Sequence, residues 1–365
     1  MVEKLMESNR IEAGVQLHLP TYSELSMVEL TGIATSAAQA GFDQIWVTDN
    51  LHCRNTFVVL AAFAPVVEAK LGTAIMAQYF RSPVESARAL MTVSELMDGR
   101  ELTVGIGTGN PHTSRLIEMP RRVGFMKQTM QCLRQLLAGK EVLIDDYPIL
   151  GDYFRFAPGA LLHVSAQPAG PITLYGGGNG PKGLALAGEL MDGLIFGWTT
   201  KLNETLGRLK GKLDIVSDAA NAAARESGFR RVTEVKIAVA ADHEVARDFV
   251  RRKSSCGRKT LGMRKRGYTD DDYIALGINP DDVNALDRAS QVSGPYTDFG
   301  DLVTDGMIDA SYIAGSPDYC AERMIEFAAM ASERGFDQVI FSELGPDPVI
   351  ALELLSEHVL PVLNR

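Results

Sequence analysis

Residues 174–190 read LYGGGNGPKGLALAGEL, an apolar run that enters three consecutive glycines and leaves as a helix with Pro181 in its first turn. Glycines let a backbone approach a ligand closely. A helix start offers free N–H groups and the positive end of a dipole, and together these hold phosphate. A tight turn between strand and helix is the plainer alternative. Gly178, Gly180 and Gly183 satisfy GxGxxG by spacing, but no acid ends a following strand about 20 residues on, as a dinucleotide fold requires. A Walker loop is excluded because Pro181 precedes Lys182. The stretch reads as a mononucleotide-type phosphate cradle. GIGTGN (105–110) could add a second close-approach loop to the same ligand, and LGTAIMAQYFRSP (71–83) reads as a strand exit.

Other chemistries lack their residues. The six histidines form no HxH or HxxxH pair, and Asp49 with His52 gives only two potential ligands, so no metal is expected. No GxSxG elbow is present for acyl transfer. A phosphate cradle without an evident nucleophile leaves the hard chemistry to a bound cofactor.

The elements that must position these residues are short Val- and Ile-rich runs without strict alternation, which suits parallel strands buried on both faces. Strands are expected near 14–19, 44–48, 70–77, 101–106, 172–175, 193–196, 233–240 and 337–341. Helical stretches lie between them, among them Leu25 to Ala40 with Ser23 as cap, Pro83 to Met97, Arg122 to Ala138 and Pro181 to Met191. Eight strand–helix units predict an α/β fold of the (β/α)8 TIM-barrel class. The domain expectation is one barrel over 1–365. A long insertion, about 241–314, separates strands seven and eight, and 145–167 forms a small hairpin or loop. GFDQ opens the second strand at Gly41 and the last at Gly335, placing Asp49 and Glu343 at equivalent strand ends where the barrel closes.

Composition bounds the rest. The chain has 365 residues, 46% hydrophobic and 22% charged, with a net charge of −10 that disfavours nucleic-acid binding. The four cysteines show no CxxC spacing, and neither a leader nor a membrane-spanning run is evident. A cytoplasmic enzyme or binding protein is expected.

The motifs GFDQIWVTDNLHCRN, LGTAIMAQYFRSP, GRELTVGIGTG, GGGNGPKGLALAGELMDGLI and SELGPDP span most of the chain. In that order they resemble the luciferase-like barrel superfamily, most of all its deazaflavin-dependent methylenetetrahydromethanopterin reductases. The resemblance implies coenzyme F420, with FMN as the alternative. It places Asp49 near the ring, Ala74 and Ile75 at a non-proline cis bulge behind it, and Thr108, Gly109, Asn110, Gly177, Gly178, Asn179 and Gly180 around the cofactor's side chain and phosphate. Two departures bear on proton handling: Asn50 stands where the family has histidine, and Gln16 where the reductase has glutamate. His18, His52, His112 and Glu343 are the remaining proton-handling candidates, with Asp49 the acid at the ring.

The implied activity is hydride transfer between F420 and a small organic substrate by a homodimer or homotetramer, without nucleic-acid or membrane partners. The competing functions are an FMN-dependent monooxygenase, served by a partner flavin reductase, and a flavin-binding protein without catalysis. One further segment, 247–267, carries nine cations against a single acid, Asp248. It is expected either to form a solvated face or to overhang the site and meet an anionic part of the ligand.

Overall fold

The computed structural model describes residues 10–109, 117–253, 255–292 and 299–363. Eight parallel strands form the barrel: β1 (Glu12–Leu17), β2 (Gln44–Val47), β3 (Lys70–Ala77), β4 (Leu102–Gly107), β5 (Ile172–Gly177), β6 (Gly193–Phe196), β7 (Arg230–Val239) and β8 (Gln338–Ser342). The order runs β8-β1-β2-β3-β4-β5-β6, and β7 joins both β6 and β8, so the sheet closes as a (β/α)8 barrel. A short strand, Ile313–Gly315, extends β7 in parallel and was not expected from the sequence. β2, β4, β6 and β8 are buried along their whole length, which explains why their runs show no polar alternation. β1 ends at Leu17 rather than residue 19 because the Thr21 N–H already donates to His18 O in a turn.

The helices begin where capping chemistry dictates. α1 (Met27–Gln39) is capped by Ser26, not Ser23. The Ser26 hydroxyl accepts from the Glu29 N–H while the Glu29 carboxylate accepts from the Ser26 N–H, a reciprocal pair that Ser23 cannot make. α2 (Thr56–Phe63) is capped by Asn55 and α3 (Pro83–Leu96) by Ser82, each through a side-chain oxygen. α4 (Arg122–Leu137) and α5 (Pro181–Leu190) follow. The 145–167 segment holds a helix, Pro148–Phe154, between two-residue strands that pair antiparallel.

By internal packing the chain divides into two compact units. One comprises Gly14–Phe196 with Lys212–Val232. The other comprises the segment ending at Ala13, Gly197–Gly211 and Thr233–Arg365. In the first, Tyr79, just after β3, stacks on Phe125, and Tyr153 meets both rings edge-on. In the second, helices between His243 and Ser311 surround a core that includes Val250, Met263, Tyr273 and Met307. Among the described residues no helix is long and apolar enough to cross a membrane, and no group of three or more potential metal ligands occurs.

Candidate functional site

β2 ends in a carboxylate that ties two strand ends together. Arg81, after β3, grips Asp49 bidentately, Nη1 to Oδ2 at 2.7 Å and Nη2 to Oδ1 at 3.1 Å. The Ala77 N–H also donates to Oδ2, at 3.1 Å. The Asp49 side chain is 1% exposed and the Arg81 side chain 14%, with the guanidinium 4.8 Å over the Phe57 ring. Such a fork is both stronger and more directional than a single charged contact. Arg81 therefore does more than mark a strand exit. Its role could be read only by pairing two motifs 32 residues apart.

β3 is irregular at its centre. Its register with β4 shifts between Thr73 and Met76, and the Ala74–Ile75 peptide is cis, as the resemblance implies. Gln16 Nε2 donates to the Ala74 carbonyl at 2.8 Å, a bond that a carboxylate at position 16 could not donate. Ile75 then lies over three glycines. A β-carbon on Gly107 would overlap Ile75 Cδ1, and one on Gly177 would stand 2.7 Å from Ile75 Cγ2. One on Gly105 would meet Ile195 at 2.5 Å and Ile75 at 3.1 Å. The glycines of GIGTGN within β4 thus make room for Ile75, rather than forming a loop around a ligand. Ile75 is half-buried while its neighbours from Leu71 to Tyr79 are buried, so one side of it stays open.

The glycine turn leads into α5 from Gly180, whose N-cap position carries no side-chain bond. Pro181 has no N–H, and the first helical bond is Leu184 N–H to Gly180 O, so the N–H groups of Lys182 and Gly183 form the open first turn. Lys212 Nζ donates to Asn179 O at 2.8 Å, bringing a cation to this turn. Asn179 Oδ1 is buried without a partner. β-carbons on Gly178, Gly180 or Gly183 would meet nothing within 4 Å. Thr108 and Gly109, which follow β4, are half-buried, with Gly109 at φ +78°. Asn110 and His112 lie outside the described residues.

Gln78, immediately after β3, escaped the sequence reading as a site residue. It is 2% exposed, and neither Nε2 nor Oε1 has a partner. His18 is half-buried, its Nδ1 2.8 Å from Thr21 Oγ1, whereas His52 is exposed and Asn50 buried.

In the second unit, Glu343 follows β8 in a left-handed conformation, φ 72°, and its side chain is fully buried. It accepts from Lys259 Nζ at 3.0 Å, Tyr312 OH at 2.8 Å and Ser255 Oγ at 2.7 Å, and pairs with Lys236 at 3.2 Å. Lys236 also pairs with Glu234 at 2.7 Å, and Glu234 accepts from Ser342 Oγ and the Trp198 N–H. Burial opposes the Lys236 charge, but Glu234 and Glu343 outweigh it and raise its pKa. Burial likewise works against Glu234, which Lys236 nonetheless holds low. Lys259 has one close carboxylate and a like-charged neighbour in Lys236. Burial there prevails and pushes it down to about 8. The Glu343 carboxylate is thus surrounded by donors of its own unit.

Lys259 belongs to the basic run, and most of that run is spoken for. Arg247 pairs with Asp305 and Asp309, Arg251 with Asp305, Arg252 with Asp248 and Asp301, and Arg264 with Asp270. The segment that looks cationic in sequence is largely neutralised by acids up to 84 residues away.

Comparison with known proteins adds to this geometry. Residues 13–338 match the luciferase-like monooxygenase family. The 5,10-methylenetetrahydromethanopterin reductase of Archaeoglobus fulgidus is 30% identical over 93% of this chain and 97% of its own. The solved coenzyme F420-dependent tetrahydromethanopterin reductase of Methanopyrus kandleri superposes with a TM-score of 0.75 at 20% identity, covering 96% of this chain and 99% of its own. An F420-dependent secondary alcohol dehydrogenase solved with an F420-acetone adduct gives 0.69 at 18% identity, covering 97% and 99%.

Proposed function

Because the chain belongs to the luciferase-like monooxygenase family, we propose that it is an oxidoreductase that holds coenzyme F420 and exchanges a hydride with a small organic substrate. One observation carries this reading. The irregular β3 sets Ile75 on Gly105, Gly107 and Gly177 with one side open, and β5, which supplies Gly177, runs directly into the glycine turn of α5. An apolar shelf and a phosphate-type cradle therefore share one strand pair, as a flat ring with a phosphate-bearing chain requires. The A. fulgidus relative, a methylenetetrahydromethanopterin reductase, supports a reductase over a monooxygenase.

Bound F420 supplies a hydride donor or acceptor at its tricyclic ring. The chain's residues do the rest. Ile75 offers one face for stacking, and the open N–H groups of Lys182 and Gly183, with the nearby Lys212, favour an anionic phosphate. Thr108 and Gly109 line the same end of β4, and Asp49 with Arg81 fixes the ends of β2 and β3. His18, oriented through Nδ1 by Thr21, is the proposed proton-handling group of this unit. Glu343 is proposed to be structural.

The test is titration of the purified protein with F420 and with FMN, followed by turnover under anaerobic and aerobic conditions. F420 binding in the micromolar range or tighter, with anaerobic turnover, is expected. Preference for FMN with oxygen consumption would replace this reading with the monooxygenase.

A further inference from the structure

Gln78 combines two properties that rarely coexist in a stable free protein. It is 2% exposed, and both polar atoms of its carboxamide lack a partner. Its backbone is nevertheless well fixed. The Gln78 N–H donates to Gly107 O at 3.3 Å, and the preceding Ala77 N–H donates to Asp49 Oδ2 at 3.1 Å. The side chain is thus rooted between the end of β2 and the Thr108–Gly109 turn, three residues beyond Ile75.

A buried amide left unsatisfied weakens the folded state, and a side chain of similar length without polar atoms would serve packing better. An unpaired donor and acceptor three residues along the chain from Ile75 are matched by a ligand that brings both partners. A carboxamide presents one acceptor and one donor side by side. Its complement is a cyclic amide edge, an N–H next to a C=O, which the dioxopyrimidine part of a deazaflavin or flavin carries. We infer that Gln78 binds the ring of the cofactor through this amide edge, an inference that rests on the function proposed above.

The experiment compares the full-length wild type with Gln78→Met, which keeps length and removes both polar atoms. Thermal melts are recorded without ligand, and F420 and FMN are titrated by fluorescence. The free variant should melt about 2 °C higher, because an unsatisfied pair has been removed. Its dissociation constant for the preferred cofactor should rise about tenfold or more. Equal affinity in variant and wild type overturns the inference and leaves the proposed function standing. A variant that melts lower shows that the carboxamide is already paired in the free protein, and also overturns it. A wild type that binds neither cofactor removes the proposed function and this role together.

Discussion

Asp49 and Glu343 each stand eight residues after the glycine of a GFDQ segment, and each closes an apolar strand. Their surroundings differ sharply. Asp49 faces one guanidinium and one backbone N–H, both from the end of β3. Glu343 faces two ammonium groups, a phenol and a serine hydroxyl, drawn from β7, the helix Cys256–Lys265 and the residues flanking it and Ile313–Gly315. The first arrangement braces two neighbouring strand ends with one side chain and one backbone N–H. The second consumes every lone pair and fastens the region after β7 to β8. Equivalent sequence frames have diverged into a strand-end brace and an internal clasp.

The largest expected effect tests the clasp. Glu343→Leu leaves Lys236 and Lys259 buried with only Glu234 as counter-charge, and should cost about 3–5 kcal/mol in urea unfolding. Asp49→Asn, with Arg81 near enough to water to rehydrate, should cost about 1–2 kcal/mol. Similar losses in the two variants would erase the contrast.

Glycine substitutions sharpen the ligand side at intermediate size. Gly107→Val drives its β-carbon into Ile75 and should destabilise by about 1–3 kcal/mol. Gly178→Val meets open space, so its unfolding midpoint should barely move while cofactor affinity falls about tenfold or more. Unchanged affinity in a titration of that variant would rule out the cradle.

A pH dependence probes the clasp without cutting it. Lys259, held at about 8 by burial against an unfolded value of about 10.4, is protonated in both states below pH 8. Between about 8 and 10.4 the unfolded chain binds more proton, so stability from this group rises with pH across that window. Urea midpoints should show the rise in wild type relative to Lys259→Met, in which Glu343, Lys236 and Glu234 remain. Parallel curves would mean that Lys259 keeps an ordinary pKa.

The barrel was legible because buried parallel strands need Val, Ile and Leu runs whatever their neighbours are. The glycine turn was legible because its requirement is local. Arg81, Gln78 and the Lys259–Glu343 pair were not, since each depends on groups brought together from 29 to 84 residues away, or on a partner that is missing. The same reason explains the basic run. Its cations seemed unopposed beside Asp248 alone, but Asp301, Asp305 and Asp309 come back to them from a later helix and turn. Gly105 and Gly107 were assigned to a loop because spacing does not reveal that groups from other strands, Ile75 among them, stand against them.

Gly183 sits in the first turn of α5, where a β-carbon would touch nothing and alanine would strengthen the helix by up to about 1 kcal/mol. Gly178 and Gly180 likewise stand in open space, so a β-carbon at any of the three meets no neighbour in the free fold. A thermostabilisation campaign scored only on melting temperature would accept substitutions here that crowd the proposed cradle. Engineering this scaffold therefore calls for selection with ligand present, with those three glycines held fixed.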